Sequence, residues 1–230
     1  MANPNLELLI SVARLLRPLL DELVFVGGCT TALLITDPAA AEVRSTYDVD
    51  AIAEITSYAE YAAFSERLRQ LGFAEDHGEG APICRWAHED MRFDVMPTDE
   101  RILGFSNRWY KAAMENAQKM QLENGLMLRV VTAPFFLGTK LEAFKGRGKN
   151  DYFASHDLED LIAVIDGRPS LLDEVQHAPK ELRAYIADAI HKLIGRQEFI
   201  DALPGYLLPD PASQARLGTL LKMLQGVAGL

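Results

Sequence analysis

The sequence predicts an α+β fold, in which a small mixed β-sheet flanked by helices is followed by an all-helical C-terminal half. Short apolar runs of strand length occur only before about residue 132. From residue 134 onward, apolar residues recur at helical spacing, with prolines near several helix starts. The pattern changes near Ala133 without a flexible linker. We therefore expect a core of residues 1–132 and a helical domain of residues 133–230 that packs against it.

Within the core, apolar spacing distinguishes strands from helices. Residues 36–43 read as a turn followed by a loop or a short helix, and the glycine-rich residues 77–82 as a connection. The predicted strands are residues 23–26, a run containing Asp48 and Asp50, an antiparallel hairpin of 83–87 and 91–96, and 127–131. The predicted helices are 6–23, 30–35, 57–71 with Gly72 as its C-terminal cap, 107–119, 134–146, 155–166, 179–196 and 211–224.

Composition excludes several classes of protein. A chain of 230 residues with 49% apolar content can bury a core, and it has two cysteines, too few for a disulfide framework or a zinc site. No signal peptide or membrane-length apolar run is evident, so we expect a cytoplasmic protein without membrane attachment. The net charge of -10 argues against a broadly basic surface for nucleic acid. One local basic run, Lys140, Lys145, Arg147 and Lys149, could bind an anion or be a solvated helix end.

Three aspartates in two short strands are the main chemical signal. In a strand, Asp48 and Asp50 project from one face, while Tyr47, Val49 and Ala51 turn into the protein. Asp94 is a third acid inside an otherwise apolar strand. These acids could simply be exposed at a sheet edge, but aspartate is disfavoured in strands, by up to ~1 kcal/mol. Neighbouring carboxylates with a cation among them would explain the pattern, and hard oxygen ligands suit Mg²⁺.

A pair of glycines precedes these acids. Gly27 and Gly28 lie between an apolar strand and a predicted helix, an arrangement that brings backbone N–H groups close to an anion. By itself such a pair is more often an ordinary turn. A nucleotide, however, needs both donors for its outer phosphates and a metal where its α-phosphate is attacked.

These motifs together resemble the nucleotidyltransferase superfamily with the DNA polymerase β type of fold. More closely, the chain is similar to AbiEii-type, MenT-like nucleotidyltransferase toxins, over about residues 25–168. The matching stretches are Phe25-Val-Gly-Gly-Cys-Thr-Thr-Ala-Leu-Leu, Arg44-Ser-Thr-Tyr-Asp-Val-Asp, Lys140-Leu-Glu-Ala-Phe-Lys-Gly-Arg and Asp157-Leu-Glu-Asp-Leu. The spacer between Gly28 and Asp48 is longer than in the superfamily, so residues 36–43 look like an insertion.

The resemblance implies a role for each matching residue. Asp48 and Asp50 would hold Mg²⁺ with the nucleoside triphosphate, and Asp94 would complete the metal site and help to activate the attacking hydroxyl. Lys140 would supply positive charge to the triphosphate, and Asp157 would be a further functional acid. The residues expected to contact the nucleotide are Gly27, Gly28, Thr30, Thr31, Arg44, Ser45, Lys145 and Arg147.

Two of these assignments have a purely structural alternative. Lys140 could extend over an apolar helix face between Phe136 and Phe144 and carry its charge to solvent. Asp157, preferred over Asp160 for the functional acid, lies in the first turn of a predicted helix and would suit the helix dipole in any case.

The resulting hypothesis is a Mg²⁺-dependent enzyme that transfers a nucleoside monophosphate from a triphosphate to an acceptor hydroxyl. The resemblance implies a toxin of a toxin-antitoxin or abortive-infection system, with a tRNA 3′ end as acceptor and a cognate antitoxin as partner. The alternatives are transfer to a protein or a small molecule, a nucleotide-binding module without transfer, and a metal-dependent phosphohydrolase. The base preference and the oligomeric state do not follow from the sequence.

Overall fold

The structure is a computed structural model that describes residues 3–122 and 125–230. The chain forms two compact units: the first comprises Met1–Thr30 and Ser45–Thr132, and the second Thr31–Arg44 and Ala133–Leu230. The strands of the described residues all belong to the first unit. The fold is therefore α+β as predicted, with a mixed sheet before residue 132 and helices from Ala133 onward. The domain limits 1–132 and 133–230 stay a prediction, because a compact arrangement does not show that a segment folds independently.

The first unit is built on a seven-stranded mixed sheet. Its strands are β1 (Leu23–Val26), β2 (Val49–Ala53), β3 (Ala74–Glu75), β4 (Arg85–His88), β5 (Met91–Pro97), β6 (Gln118–Gln121) and β7 (Met127–Val130). They lie in the order β3-β4-β5-β2-β1-β7-β6; β2 runs parallel to β5 and β1 parallel to β7, and the other neighbours are antiparallel. All four residues of β1 are buried, as a short, wholly apolar strand in the middle of a sheet requires.

Helices occur in both units. Those of the described residues are α1 (Pro4–Leu15), α2 (Thr31–Leu34), α3 (Tyr58–Gln70), α4 (Glu100–Leu103), α5 (Tyr110–Glu115), α6 (Ala133–Arg147), α7 (His156–Gly167), α8 (Leu171–His177), α9 (Lys180–Ile194), α10 (Gln197–Ala202), α11 (Pro211–Ala215) and α12 (Leu217–Ala228). Local sequence explains several of their ends. Ser57 and Glu60 form a reciprocal capping box at the start of α3, and Gly72 follows its end in the left-handed conformation, with φ +87°.

The structure corrects three predictions in the first unit. The helix predicted over residues 6–23 ends at Leu15 and continues as a 3-10 turn, because Pro18 has no N–H to extend the α-helix. The helix predicted over residues 107–119 ends at Glu115, where the Asn116 side chain bonds the Ala112 carbonyl. Tyr47 is 79% exposed instead of buried, since β2 begins only at Val49 and the alternation does not extend into the loop before it.

Residues 31–44 belong to the helical unit through several hydrogen bonds. The N–H groups of Thr36 and Asp37 both donate to the Gly167 carbonyl at 2.9 Å, at the end of α7. Arg216 bonds the carboxylates of Asp37, at 2.7 Å, and Asp166, at 2.8 Å. The extra residues between the glycines and the acids are therefore a loop fastened to the C-terminal helices.

Candidate active site

The sheet register brings the three predicted carboxylates together. Asp50 on β2 is directly opposite Asp94 on the parallel strand β5, and on its other side it pairs with Val26 at the end of β1. Asp48 lies one residue before β2. Val49 and Ala51, the neighbours that alternate with these acids, have no exposed surface, as predicted. The middle of the sheet thus presents three carboxylates at one end of β2.

Arg85 on β4 links two of these carboxylates. It is paired with Asp94 in the antiparallel register of β4 and β5. Its Nε donates to Asp94 Oδ1 at 2.7 Å, and its Nη2 donates both to Asp94 Oδ2 at 2.8 Å and to Asp48 Oδ2 at 2.6 Å. Because Nη2 bonds both acids, the carboxylates of Asp48 and Asp94 both lie within hydrogen-bond distance of one nitrogen. The Arg85 side chain is only 15% exposed, so these charge-assisted bonds are shielded from bulk water.

The loop before β2 orients Asp48. Thr46 Oγ1 donates to the second carboxylate oxygen of Asp48, Oδ1, at 2.9 Å. The Thr46 N–H donates in turn to the side-chain oxygen of buried Asn5 on α1, also at 2.9 Å. Both oxygens of Asp48 therefore have a donor, and the donors come from two different parts of the first unit.

Gly27 gives Asp50 the space that it occupies. Its φ of +72° is a conformation that residues with a side chain rarely adopt. A Cβ at this position would lie 2.0 Å from Asp50 Oδ2 and 2.6 Å from its carboxyl carbon. Glycine is thus required at position 27 because the Asp50 carboxylate lies where a side chain would begin. The sequence alone does not show this reason.

Hydrogen bonds within the turn stabilise the residues that follow Gly27. Gly28 begins a buried 3-10 turn that ends at Thr30. The Thr30 N–H and hydroxyl both donate to the Gly27 carbonyl, at 3.1 and 2.9 Å. Thr31 is fully buried, and its hydroxyl has no hydrogen-bond partner among the residues that the structure describes. Contact of these four residues with phosphate stays a prediction.

Burial controls the protonation of two groups beside the acidic centre. It raises the pKa of Asp94 above the ordinary aspartate range, although the hydrogen bonds and charge of Arg85 act in the opposite direction. Burial also raises the pKa of the Cys84 thiol to about 12, and the charges of Asp94 and Asp50 add to this effect. Asp94 accordingly holds a proton more tightly than a solvated aspartate does, and Cys84 stays a neutral thiol near pH 7.

A second cluster of predicted residues lies in the helical unit. Lys140 on α6 is 7% exposed, and its Nζ donates to Asp160 Oδ2 at 2.6 Å and to Asp157 Oδ1 at 3.3 Å. Arg147 binds Asp157 with two nitrogens, at 2.8 and 2.9 Å. Arg44 binds Asp160 in the same way, with both bonds at 2.9 Å. Asp157 and Asp160 are therefore each held by one arginine fork and by a shared lysine.

The cluster bears on the structural alternative for each of two residues, Lys140 and Asp157. Lys140 does not carry its charge to solvent, because two acids bind it inside the unit, above the Phe136 ring at 5.8 Å. Asp157 lies in the first turn of α7, as the helix-dipole alternative expects, and it also has ion-pair partners. Burial would raise its pKa, but the Arg147 hydrogen bond and the Lys140 charge lower it overall. Of the four residues in the basic run, Lys140 is buried, and Lys145, Arg147 and Lys149 are exposed.

Most of the predicted site residues thus belong to one of two clusters, one in each unit, whereas Lys145 lies exposed in the last turn of α6. Ser45 is exposed and lies between Arg44 and the loop that orients Asp48. Sequence reasoning missed Arg85 and Thr46, and it ranked Asp160 below Asp157. Arg85 had a possible signal, since its place in the predicted hairpin 83–87 and 91–96 puts it across from Asp94. Thr46 and Asp160 act through side-chain contacts that no spacing rule predicts.

The side chains of the acidic centre are of the chemical type that binds a hard cation such as Mg²⁺. Asp48, Asp50 and Asp94 offer the carboxylate oxygens that Mg²⁺ binds. In the described residues, however, no group of three or more His, Cys, Asp or Glu side chains is arranged to hold a metal ion. The position between Asp48 and Asp94 is taken by the Arg85 guanidinium instead.

Comparison with known proteins finds several similar chains among solved structures, two of which are described below. No protein-family model and no curated protein matches the chain. The crystal structure of a candidate nucleotidyltransferase from H. pylori is 11% identical, with a TM-score of 0.48 over 100% of this chain and 96% of that one. The structure of JHP933 from Helicobacter pylori is 12% identical, with a TM-score of 0.45 over 96% and 91%. At this level of likeness, function has to be argued from the residues themselves.

Proposed function

We propose that the chain is a nucleotidyltransferase, which moves a nucleoside monophosphate from a triphosphate to an acceptor hydroxyl and releases pyrophosphate. The observation that carries the proposal is the register of β2 and β5, which sets Asp50 opposite Asp94 with Asp48 beside them. The centre lies at the end of β1, next to a left-handed glycine that leaves room for one of the acids. A site of this kind requires both features: carboxylates to hold a cation, and backbone that can approach a phosphate.

In this reaction the acceptor oxygen bonds to the α-phosphorus, the bond from that phosphorus to the pyrophosphate oxygen breaks, and the hydroxyl proton passes to a carboxylate. Asp94 is suited to receive the proton, because burial raises its pKa above that of a solvated aspartate. Asp48 and Asp50 would hold Mg²⁺, which neutralises phosphate charge when bound. The two clusters have no thiolate nucleophile, since the Cys84 thiol stays protonated.

The acceptor that we propose is an RNA end, with the tRNA 3′ end as first choice and a toxin role with a cognate antitoxin. This choice rests on the resemblance of the motifs to AbiEii-type toxins. The exposed cations Lys145 and Lys149 support it, because they offer local positive charge on a chain whose net charge is -10.

A transfer assay tests the reaction class. The chain is incubated with Mg²⁺, each α-labelled nucleoside triphosphate, and RNA, protein or small-molecule acceptors in separate reactions. We expect label to enter an RNA acceptor with release of pyrophosphate. Label entering only protein or a small molecule would keep the reaction and change the acceptor. Release of phosphate from the triphosphate without transfer would favour a phosphohydrolase, and binding without any reaction a nucleotide-binding module.

A further inference from the structure

Arg85 stands where a cation would neutralise the acidic centre. Its guanidinium contacts both oxygens of Asp94 and one oxygen of Asp48, at 2.6 to 2.8 Å. The other oxygen of Asp48 accepts a hydrogen bond from Thr46. All four carboxylate oxygens of these two acids therefore already have a donor within the chain.

The Arg85 guanidinium competes with a metal ion for position beside the same carboxylate oxygens. A divalent cation held by both Asp48 and Asp94 would need an oxygen from each of them. Asp48 Oδ2 and both oxygens of Asp94 are bonded to Arg85. A guanidinium and a dication close to each other also repel. The Arg85 side chain is 15% exposed, so the guanidinium is not fully enclosed by the protein.

The same bonds stabilise the centre when no metal is bound. Three carboxylates at the end of β2 would repel one another without a positive charge among them, and Asp94 is 6% exposed. Arg85 provides that charge from the neighbouring strand, at the register position opposite Asp94.

We propose that Arg85 is an internal counterion of the acidic centre, which occupies the cation position in the metal-free protein and has to release Asp48 when a divalent cation binds. Arg85 is then a positioning residue that sets the affinity of the centre for its metal. This inference rests on the proposed function, because it takes the three acids to be the metal site of the transfer reaction.

The test is a divalent-cation titration of the full-length chain without nucleotide. Mn²⁺ binding is measured by calorimetry for the unmodified chain and for Arg85→Gln, which keeps a polar side chain but removes the charge. We expect Arg85→Gln to bind Mn²⁺ about tenfold more tightly, since a positive charge and a competitor are removed from the carboxylates. In parallel, the melting temperature of the metal-free variant should fall, and added Mn²⁺ should raise it by more than in the unmodified chain.

Arg67→Gln is the matched control. Arg67 on α3 also forms a two-nitrogen ion pair, with Glu22 at 2.6 and 2.7 Å, but it lies on the surface of the same unit and contacts none of the three acids. We expect the Mn²⁺ affinity of this variant to equal that of the unmodified chain.

Three results separate the inference from the proposed function. Equal or weaker Mn²⁺ binding by Arg85→Gln would overturn the inference and leave the metal site in place. No Mn²⁺ binding by either protein would overturn both. If Arg85→Gln does not fold, Arg85→Lys is used instead. Lysine retains the positive charge but cannot bond both acids with a fork of nitrogens. The Mn²⁺ affinity of Arg85→Lys should therefore exceed that of the unmodified chain, but by less than about tenfold. An unchanged affinity in this variant would again overturn the inference.

Discussion

Replacing Gly27 by alanine tests whether the glycine turn exists to make room for Asp50. The new Cβ would lie 2.0 Å from Asp50 Oδ2, whereas real Cβ contacts essentially never fall below 3.0 Å. The carboxylate would therefore have to move by at least about 1 Å, a displacement that can cost about 100-fold in rate at a catalytic centre. The substitution also places a side chain at φ +72°, which costs about 1–2 kcal/mol.

Gly104→Ala separates these two effects. Gly104 has a nearly identical φ of +79°, but a Cβ there would meet nothing within 4 Å. Both variants should lose about 1–2 kcal/mol of unfolding free energy from the backbone, and Gly27→Ala a further ~1–3 kcal/mol from overpacking. Only Gly27→Ala should lose Mn²⁺ affinity and transfer activity. If the Mn²⁺ affinity and transfer rate of Gly27→Ala match those of Gly104→Ala, the assignment of Gly27 to the acidic centre is wrong.

Three further predictions concern the helical unit. Lys140→Met removes two buried charge-assisted bonds while both arginine forks remain, so we expect the free energy of unfolding in urea to fall by about 2–4 kcal/mol. The exposed control Lys192→Met should change it by no more than about 0.5 kcal/mol. An equal effect of the two substitutions would contradict a stabilising role of the buried cluster. The pKa of Asp157 is lowered in the folded chain, so its stabilising contribution is present above the unfolded pKa of about 3.9 and is lost as the pH falls through the native value. Asp157→Asn should therefore be less stable at pH 7 and lose less stability on acidification, and an acid dependence as steep as that of the unmodified chain would refute this. Arg216→Ala breaks the bonds to Asp37 and Asp166 and should speed amide hydrogen exchange within residues 31–44; unchanged exchange there would show that the loop is held by other contacts.

Local strand patterns account for part of the geometry around the three acids. Alternation explains why Val49 and Ala51 are buried on either side of Asp50, and the hairpin pattern pairs the strands on either side of residues 89 and 90. Asp48 lies in the loop before β2, where alternation does not apply, and its orientation depends on Thr46 and Arg85. The pairing of distant strands, which sets Asp50 opposite Asp94, depends on the order of strands in the sheet, and no local pattern specifies that order.

The weakest predictions concern short or polar elements. β3 has two exposed residues, and β6 reads Gln-Lys-Met-Gln, so neither has the apolar alternation by which a strand is recognised. Both are edge strands of the sheet, where polar residues are expected. Charge networks are harder still, because the sequence shows that Lys140 is a cation but not that two acids on another helix bind it.

Asp48, Asp50 and Asp94 are the residues that we propose to catalyse nucleotidyl transfer. The most direct measurement is the rate of transfer from α-labelled triphosphate to the acceptor under single-turnover conditions, for the unmodified chain, Asp50→Asn and the exposed control Asp188→Asn. We expect transfer by the unmodified chain and by Asp188→Asn at equal rates, and a loss of at least about 100-fold in Asp50→Asn. Transfer by Asp50→Asn at the unmodified rate, or no transfer by the unmodified chain to any acceptor, would contradict the claim.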